Sequence, residues 1–346
     1  RFCMRALMKS RPAPGAEITQ VTDPKVAPDE VQICVKAASV CGTDLHIFRW
    51  DDWAASRIKT PLVFGHECAG EVVEAGSRVS DVPVGAHVSL ETHIACGICY
   101  QCRTGREHLC KNVRIVGVDR PGAFAEYISV PARNVWINDS ALPWEIATIL
   151  EPFGNAVHAV QVGDGVTGKT VLVSGCGPIG MMSIGVARAQ GALAIYASDI
   201  NPYRLELAKQ MNPTEVFNAA KQDVYAEVMD RTDGEGVDVL LEMSGAPAAV
   251  EQGFRILKNG GSVALLGLPS TPMKFDLTEN IIFKGARVYG VFGRRMFQTW
   301  YQVKALVQSG SVDLKKVITH YSTLDRFEEA MTTLESGKCG KLVFRM

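Results

Sequence analysis

Four cysteines stand close together in C-G-I-C-Y-Q-C-R-T-G-R-E-H-L-C, at Cys96, Cys99, Cys102 and Cys110. Four thiolates this near one another can fill every position of a tetrahedral Zn2+, and a site with no open position is structural. An iron–sulfur cluster also takes four cysteines, but the C-x2-C-x2-C-x7-C spacing matches neither ferredoxin pattern. A second set is dispersed: Cys41 in V-C-G-T-D-L-H, then His66 and Glu67 in G-H-E-C. Thiolate, imidazole and carboxylate are all zinc ligand types, and three protein ligands leave one position for water or substrate. A histidine beside a turn glycine can serve the turn alone, so the case for a metal rests on the three residues together. Glu151, in L-E-P-F-G, adds a carboxylate near an expected domain junction, where ligands tend to bind; its plainer role is a buried, paired acid.

A third pattern is V-L-V-S-G-C-G-P-I-G, which carries Gly175, Gly177 and Gly180 around Pro178 and Ile179. The G-x-G-x-x-G spacing provides a tight turn, close approach of backbone to a pyrophosphate, and close helix–strand packing. Here it follows an apolar run and opens a helix whose free N–H groups would face the phosphates. Asp199 ends the next apolar run, where an acid accepts hydrogen bonds from the adenosine ribose and repels a 2′-phosphate. NAD is therefore expected over NADP, with Arg204 packing beside the adenosine. Leu266, Gly267, Leu268 and Val291, at the ends of later strands, are expected near the nicotinamide half.

These residues need a scaffold. Up to about residue 155 the chain shows short β-like runs at 31–35, 70–74, 86–90 and 125–130, punctuated by Gly and Pro, which reads as an irregular β-barrel-like domain. The pattern then changes to alternating strands and helices, with strands at 171–175, 194–199, 237–245, 261–268 and 287–293. Such alternation gives an open, doubly wound parallel sheet. The final G-K-C-G-K-L-V-F-R-M looks strand-like and is expected to return to the first domain. The expected division is 1–155, 156–295 and a returning 296–346.

Bulk properties set limits on function. A chain of 346 residues has room for about two domains. A net charge of −1 gives no electrostatic drive toward nucleic acid or an anionic membrane. No apolar stretch approaches the roughly 20 residues of a membrane span, and the first residues, R-F-C-M-R-A-L-M-K, lack a signal-peptide pattern. A cytoplasmic protein is expected, in which clustered cysteines bind metal rather than form disulfides.

The order C-G-T-D-L-H, G-H-E, four-cysteine lobe, E-P and G-x-G-x-x-G resembles the zinc-dependent medium-chain dehydrogenases along essentially the whole chain. Within them, F-R-W-D-D-W, G-A-F-A-E-Y-I-S-V-P-A-R-N, E-P-F-G-N-A-V-H-A-V and G-R-R-M-F-Q-T-W-Y resemble the L-threonine 3-dehydrogenases. The resemblance implies an α/β architecture: a GroES-like β-barrel catalytic domain plus a Rossmann domain, commonly in a homotetramer. It implies catalytic zinc on Cys41, His66 and Glu67, structural zinc on Cys96, Cys99, Cys102 and Cys110, and a proton relay through Thr43 and His46. Glu151 sits where related alcohol dehydrogenases place a further ligand, which implies a catalytic role in which it approaches the metal or assists proton transfer without binding it. The implied reaction is oxidation of the L-threonine β-hydroxyl with NAD+ as hydride acceptor. His93 is a candidate for lining the substrate pocket, with Trp50, Trp53, Arg294 and Arg295 weaker ones. Cys68, directly after Glu67, departs from the pattern as a possible competing thiol. Polyol or 2,3-butanediol dehydrogenases share every metal and cofactor residue and form the nearest alternative. A zinc-ribbon binding protein would leave the glycine fingerprint unexplained, and a non-catalytic NAD-binding regulator would not need Cys41, His66 and Glu67 together.

Overall fold

The run E-V-Q-I-C-V-K-A-A-S alternates in polarity, and it forms the strand Glu30–Ser39 with Val31, Ile33 and Val35 turned inward. This strand is the spine of the first of two units in a computed structural model that describes residues 3–346. The first unit contains the chain up to Pro152 together with Ile318–Met346; the second is Phe153–Val317.

In the first unit, Glu30–Ser39 lies between Glu67–Ala75 and Lys341–Arg345, and Tyr127–Pro131 also pairs with it. The sheet continues through His87–Leu90 to Val135–Ile137 on one side and through Ile318–Thr323 on the other. The C-terminal run therefore does return to the first unit, with Val343 opposite Ser39. That register also sets Ser39 opposite Glu67, so three distant stretches of sequence meet at one point of the sheet. Beneath them a core including Leu7, Ile33, Phe64, Val72, Phe124 and Phe344 excludes water.

The second unit is a six-stranded parallel sheet. Its order is Glu215–Asn218, Ala194–Asp199, Thr170–Ser174, Val237–Glu242, Leu257–Leu265 and Arg287–Gly290. The strand order reverses between Thr170–Ser174 and Val237–Glu242. In such sheets that switch point opens a crevice at the strand carboxyl ends. Ser174, Asp199 and Glu242 stand at those ends.

Residues 296–317, expected with the returning segment, stay in the second unit. The helix Gln298–Gln308 buries Trp300 and Val303. Val312 then packs so closely on the helix Pro178–Ala189 that a Cβ on Gly185 would lie 2.9 Å from its Cγ1. The return begins only at Ile318. The strands expected at 261–268 and 287–293 end at Leu265 and Gly290, so Leu266–Leu268 and Val291 lie in the loops that follow.

Candidate active site

Cys41 caps the helix Gly42–Arg49, and Glu67 opens the strand Glu67–Ala75 directly after His66. One donor atom from each of Cys41, His66 and Glu67 lies within 4.8 Å of the other two, and His66 and Glu67 are buried. Asp44 fixes the cap: its buried carboxylate accepts the Cys41 N–H at 2.8 Å and stands 3.8 Å from His66 Nδ1. Burial alone would push the His66 imidazole down, but its hydrogen bond to Cys41 and the charges of Asp44, Cys41 and Glu151 raise it to about 10. The field therefore draws in a cation, either a proton on His66 or a divalent ion in exchange for it. Donor types and spacing both fit zinc with an open position.

Glu67 has a second engagement that the motif does not announce. Lys341, also buried, donates to both its carboxylate oxygens, at 2.6 Å to Oε1, and to the Val40 carbonyl at 3.1 Å. Ser39 Oγ donates to Glu67 Oε2, and Thr148 Oγ1 donates to the Glu67 carbonyl at 3.0 Å. Burial would lower the lysine pKa, yet Glu67 and the neighbouring negative groups raise it. The only sequence signal for Lys341 is a lysine heading the apolar strand K-L-V-F-R. Cys68 faces the opposite side of the strand, into the hydrophobic core, where burial pushes its thiol up to about 12. It does not compete for a metal.

Thr43 and His46 are one turn apart on the helix Gly42–Arg49, a spacing that puts them on one face. Thr43 Oγ1 lies 3.9 Å from Cys41 Sγ, and His46 Nδ1 is bonded to the Asp51 carboxylate. Asp51, within the W-D-D-W stretch, also caps the helix Asp52–Arg57 by accepting the Ala54 N–H at 3.0 Å. The Trp53 ring lies 6.0 Å from the His46 ring. Glu151 is buried and accepts from Thr92 Oγ1 at 3.0 Å. It contributes charge at His66 and Lys341 but is not among the clustered donors. His93 follows Thr92, is buried, and donates its backbone N–H to Glu91 at 2.9 Å. Arg294 is buried and donates to Asn155 at 3.0 Å, which makes it a packing residue within the second unit.

The four-cysteine lobe is closed. Sγ–Sγ distances are 3.5 Å for Cys99–Cys102, 3.8 Å for Cys99–Cys110 and 3.5 Å for Cys96–Cys110. A zinc with Zn–S bonds of about 2.3 Å needs tetrahedral edges of about 3.8 Å. The backbone N–H groups of Cys96 and Asn112 each approach Cys110 Sγ at 3.3 Å. Hydrogen bonds from the Ile98 backbone and the Asn112 side chain lower the Cys96 thiol to about 6. The Cys99 thiol is lowered too, chiefly by a backbone hydrogen bond from Cys102, while burial and the neighbouring sulfurs push Cys102 up to about 12, a cost that a bound cation offsets; all four are free of disulfides.

In the second unit Gly175 has φ +97°, and a Cβ on Gly180 would sit 1.9 Å from the Gly175 carbonyl, so the turn and the helix behind it demand glycine. At Gly177 the same construction meets open space. Pro178 and Ile179 begin the helix Pro178–Ala189 above this opening. The adjoining cleft, about 470 Å³, is lined by Gly175, Gly177, Asp199, Arg204, Met243 and Ser244 among others. Asp199 accepts the N–H groups of Cys176 at 2.7 Å and Asn201 at 2.8 Å, and its carboxylate has capacity for more. Arg204 Nε is buried with no hydrogen-bond partner among the described residues, a donor suited to a polar ligand. A second cleft of about 420 Å³ is lined by Leu266, Gly267, Leu268 and Val291 together with Glu242 and Phe292. An open glycine turn, an acid and an orphaned donor fit a dinucleotide.

Comparison with known proteins settles the family. Residues 27–140 match the alcohol dehydrogenase GroES-like domain and residues 178–309 the zinc-binding dehydrogenase family. L-threonine 3-dehydrogenase of Pyrococcus abyssi is 51% identical over 344 residues, covering 99% of each chain. The chain belongs to the L-threonine 3-dehydrogenase family of zinc-binding dehydrogenases. The Bacillus licheniformis L-threonine 3-dehydrogenase is 49% identical over 98% of each chain. The crystal structure of 2R,3R-butanediol dehydrogenase from Bacillus subtilis superposes with a TM-score of 0.89 over 99% of each chain, at 28% identity. As a member of this family the chain is an oxidoreductase dependent on NAD and zinc. Its two-part architecture, a GroES-like domain with a Rossmann-type domain, is the family's own.

Proposed function

We propose that the protein oxidises the β-hydroxyl of L-threonine to 2-amino-3-oxobutanoate with NAD+ as hydride acceptor. The observation that carries the chemistry is the Cys41–His66–Glu67 donor cluster, with His66 and Glu67 buried and three clustered donors among the described residues. The substrate follows from the full-length similarity to L-threonine 3-dehydrogenases, which far exceeds that to the butanediol enzyme. When bound, zinc supplies a Lewis acid that polarises the hydroxyl, and NAD+ supplies the hydride acceptor.

The residues of the chain have the following work. Cys41, His66 and Glu67 hold the metal, and Asp44 orients both ends of the set through the Cys41 N–H and the His66 ring. Thr43 takes the hydroxyl proton and His46 delivers it to solvent, with Asp51 holding the imidazole in place. Glu151 keeps the pocket electronegative, and His93 lines the substrate side. Asp199 and Arg204 bind the adenosine end of NAD, the glycine turn its pyrophosphate, and Leu266–Leu268 with Val291 its nicotinamide half. Cys96, Cys99, Cys102 and Cys110 hold a structural zinc.

We assign a homotetramer in the cytoplasm. The strand Arg287–Gly290 is an open sheet edge, with Ile282 and Phe283 exposed nearby, and an uncovered apolar edge favours pairing with another chain. Ten free cysteines suit a reducing compartment, and no helix of the described residues is long and apolar enough to cross a membrane. The substrate reading is tested by initial rates of NADH formation on a panel of L-threonine, 2,3-butanediol and sorbitol. A higher kcat/KM for L-threonine is expected; a preference for butanediol would overturn it.

A further inference from the structure

Glu242 ends the strand Val237–Glu242 at the switch point of the parallel sheet, and its side chain is 0% exposed. Four contacts reach its carboxylate, all from donors. The Ser244 N–H donates to Oε1 at 3.1 Å, the Ser244 hydroxyl donates to the same oxygen, and the Gly245 N–H spans Oε1 at 3.2 Å and Oε2 at 3.0 Å. An arrangement that offers donors alone suits the ionised form. Burial pushes the other way and raises its pKa, while these hydrogen bonds lower it. No Lys, Arg or His forms an ion pair with it among the described residues.

Glu242 stands behind the wall of a cleft whose other lining is largely apolar, including Val250, Leu265, Leu266, Met273, Val291 and Phe292. Gly267 covers it so closely that a Cβ there would lie 2.8 Å from Oε2. The N–H groups of Leu266 and Gly267 donate to the Glu242 carbonyl at 3.0 and 3.1 Å. One residue thus anchors the loop after its own strand and the loop that lines the cleft. Anchoring alone requires hydrogen-bond acceptors, not a net charge. A buried anion without a counter-ion is costly, and a cationic ligand in the cleft offsets that cost.

We propose that Glu242 selects the redox state of the dinucleotide, its fixed negative charge stabilising the pyridinium ring of NAD+ over the uncharged ring of NADH. The inference rests on the reading that Leu266–Leu268 and Val291 take the nicotinamide half. It makes Glu242 a positioning and specificity residue that favours loading of the oxidised cofactor and release of the reduced one. Its two tasks are separable. Weakened anchoring affects both dinucleotides alike, whereas lost charge affects only the difference between them.

The test is titration of the zinc-loaded full chain with NAD+ and with NADH, followed by calorimetry, for wild type, Glu242→Gln and Ser244→Ala. In Glu242→Gln the ratio Kd(NAD+)/Kd(NADH) is expected to rise about tenfold, the order of effect of removing one unit charge that acts on a cationic ring at an effective dielectric of about 20. Ser244→Ala, which loosens the anchor and keeps the charge, should leave the ratio unchanged. An unchanged ratio in Glu242→Gln overturns the proposal, including the case where both constants rise together. Should that variant not fold, wild type is titrated with the benzamide analogue of NAD+, whose ring is uncharged. Binding about tenfold weaker than NAD+ is expected on the same Coulomb estimate, and equal binding overturns the proposal. Wild type that binds neither NAD+ nor NADH would instead remove the cofactor reading beneath it.

Discussion

Replacing Lys341 by Met removes one charge from a deeply buried ion pair of the first unit while keeping the aliphatic stem. Lys341 is 3% exposed and Glu67 0%, and the ammonium donates to both carboxylate oxygens as well as to the Val40 carbonyl. Without it, the Glu67 carboxylate keeps the Ser39 hydroxyl as a donor and loses its ion-paired ammonium, leaving only the positive charge that His66 takes up beside it when no metal is bound. Breaking such a pair from one side costs about 3–5 kcal/mol, because the remaining charge stays buried. For a unit of this size each kcal/mol moves Tm by about 2–4 °C, so the metal-free protein should lose roughly 6–20 °C. Zinc on Cys41, His66 and Glu67 would itself face the carboxylate with positive charge. The loss in zinc-loaded protein should therefore fall to about half or less of the chelated value. Scanning calorimetry on wild type and Lys341→Met, each with and without chelator, gives the four values needed. A loss below about 1 kcal/mol, the size of an exposed pair, or an equal loss in both metal states, would refute the reasoning.

Three further outcomes are expected. Thr43→Ala should lower kcat with L-threonine by about 10²-fold or more, the usual size of a lost acid–base step; near-wild-type turnover in steady-state assays rejects the relay. Asp199→Asn keeps one acceptor oxygen and removes the charge that repels a 2′-phosphate, so the NAD/NADP ratio of kcat/KM should fall by about tenfold or more; an unchanged ratio removes Asp199 from cofactor choice. His87 stacks on Trp144 at 3.7 Å, and its Nε2–H donates to the Leu142 carbonyl at 2.8 Å. Burial lowers its pKa, so its stabilising contribution is complete above the unfolded value of about 6.5 and is lost as pH falls through the folded value. Urea midpoints between pH 7 and 5 should therefore drop less in His87→Phe than in wild type, and identical slopes would show that His87 contributes nothing there.

What the sequence makes legible is what lies close along the chain. The cysteine lobe and the glycine turn are each complete within a few residues, so type and spacing carry the geometry. Cys41 and the adjacent His66 and Glu67 are separated by two helices and a short strand, and the three residue types together still signal a metal. The pairing of Lys341 with Glu67 spans the length of the chain and is created by strand register, which no local pattern encodes. His46 and Asp51 are near neighbours, yet W-D-D-W by itself does not say that its first acid holds an imidazole. The strand Glu215–Asn218 escapes because E-V-F-N is too short for any alternation to show. The helix Gln298–Gln308 is expected with the returning segment but lies in the second unit, because the packing that buries its Trp300 and Val303 becomes known only once the sheet is wound. Glu242 reads as one acid ending an apolar run, and only burial reveals that it has no counter-ion.

The central claim is a division of labour: chemistry at Cys41, His66 and Glu67, and bracing at Cys96, Cys99, Cys102 and Cys110. The most direct measurement compares Cys41→Ala with Cys99→Ala by zinc content per chain, NADH formation with L-threonine, and Tm. Cys41→Ala should retain the lobe's zinc and a near-wild-type Tm while losing turnover. Cys99→Ala should lose the lobe's zinc and several degrees of Tm, while chains that remain folded keep their turnover. Full turnover in Cys41→Ala, or abolished turnover in folded Cys99→Ala with its other zinc in place, would contradict the account.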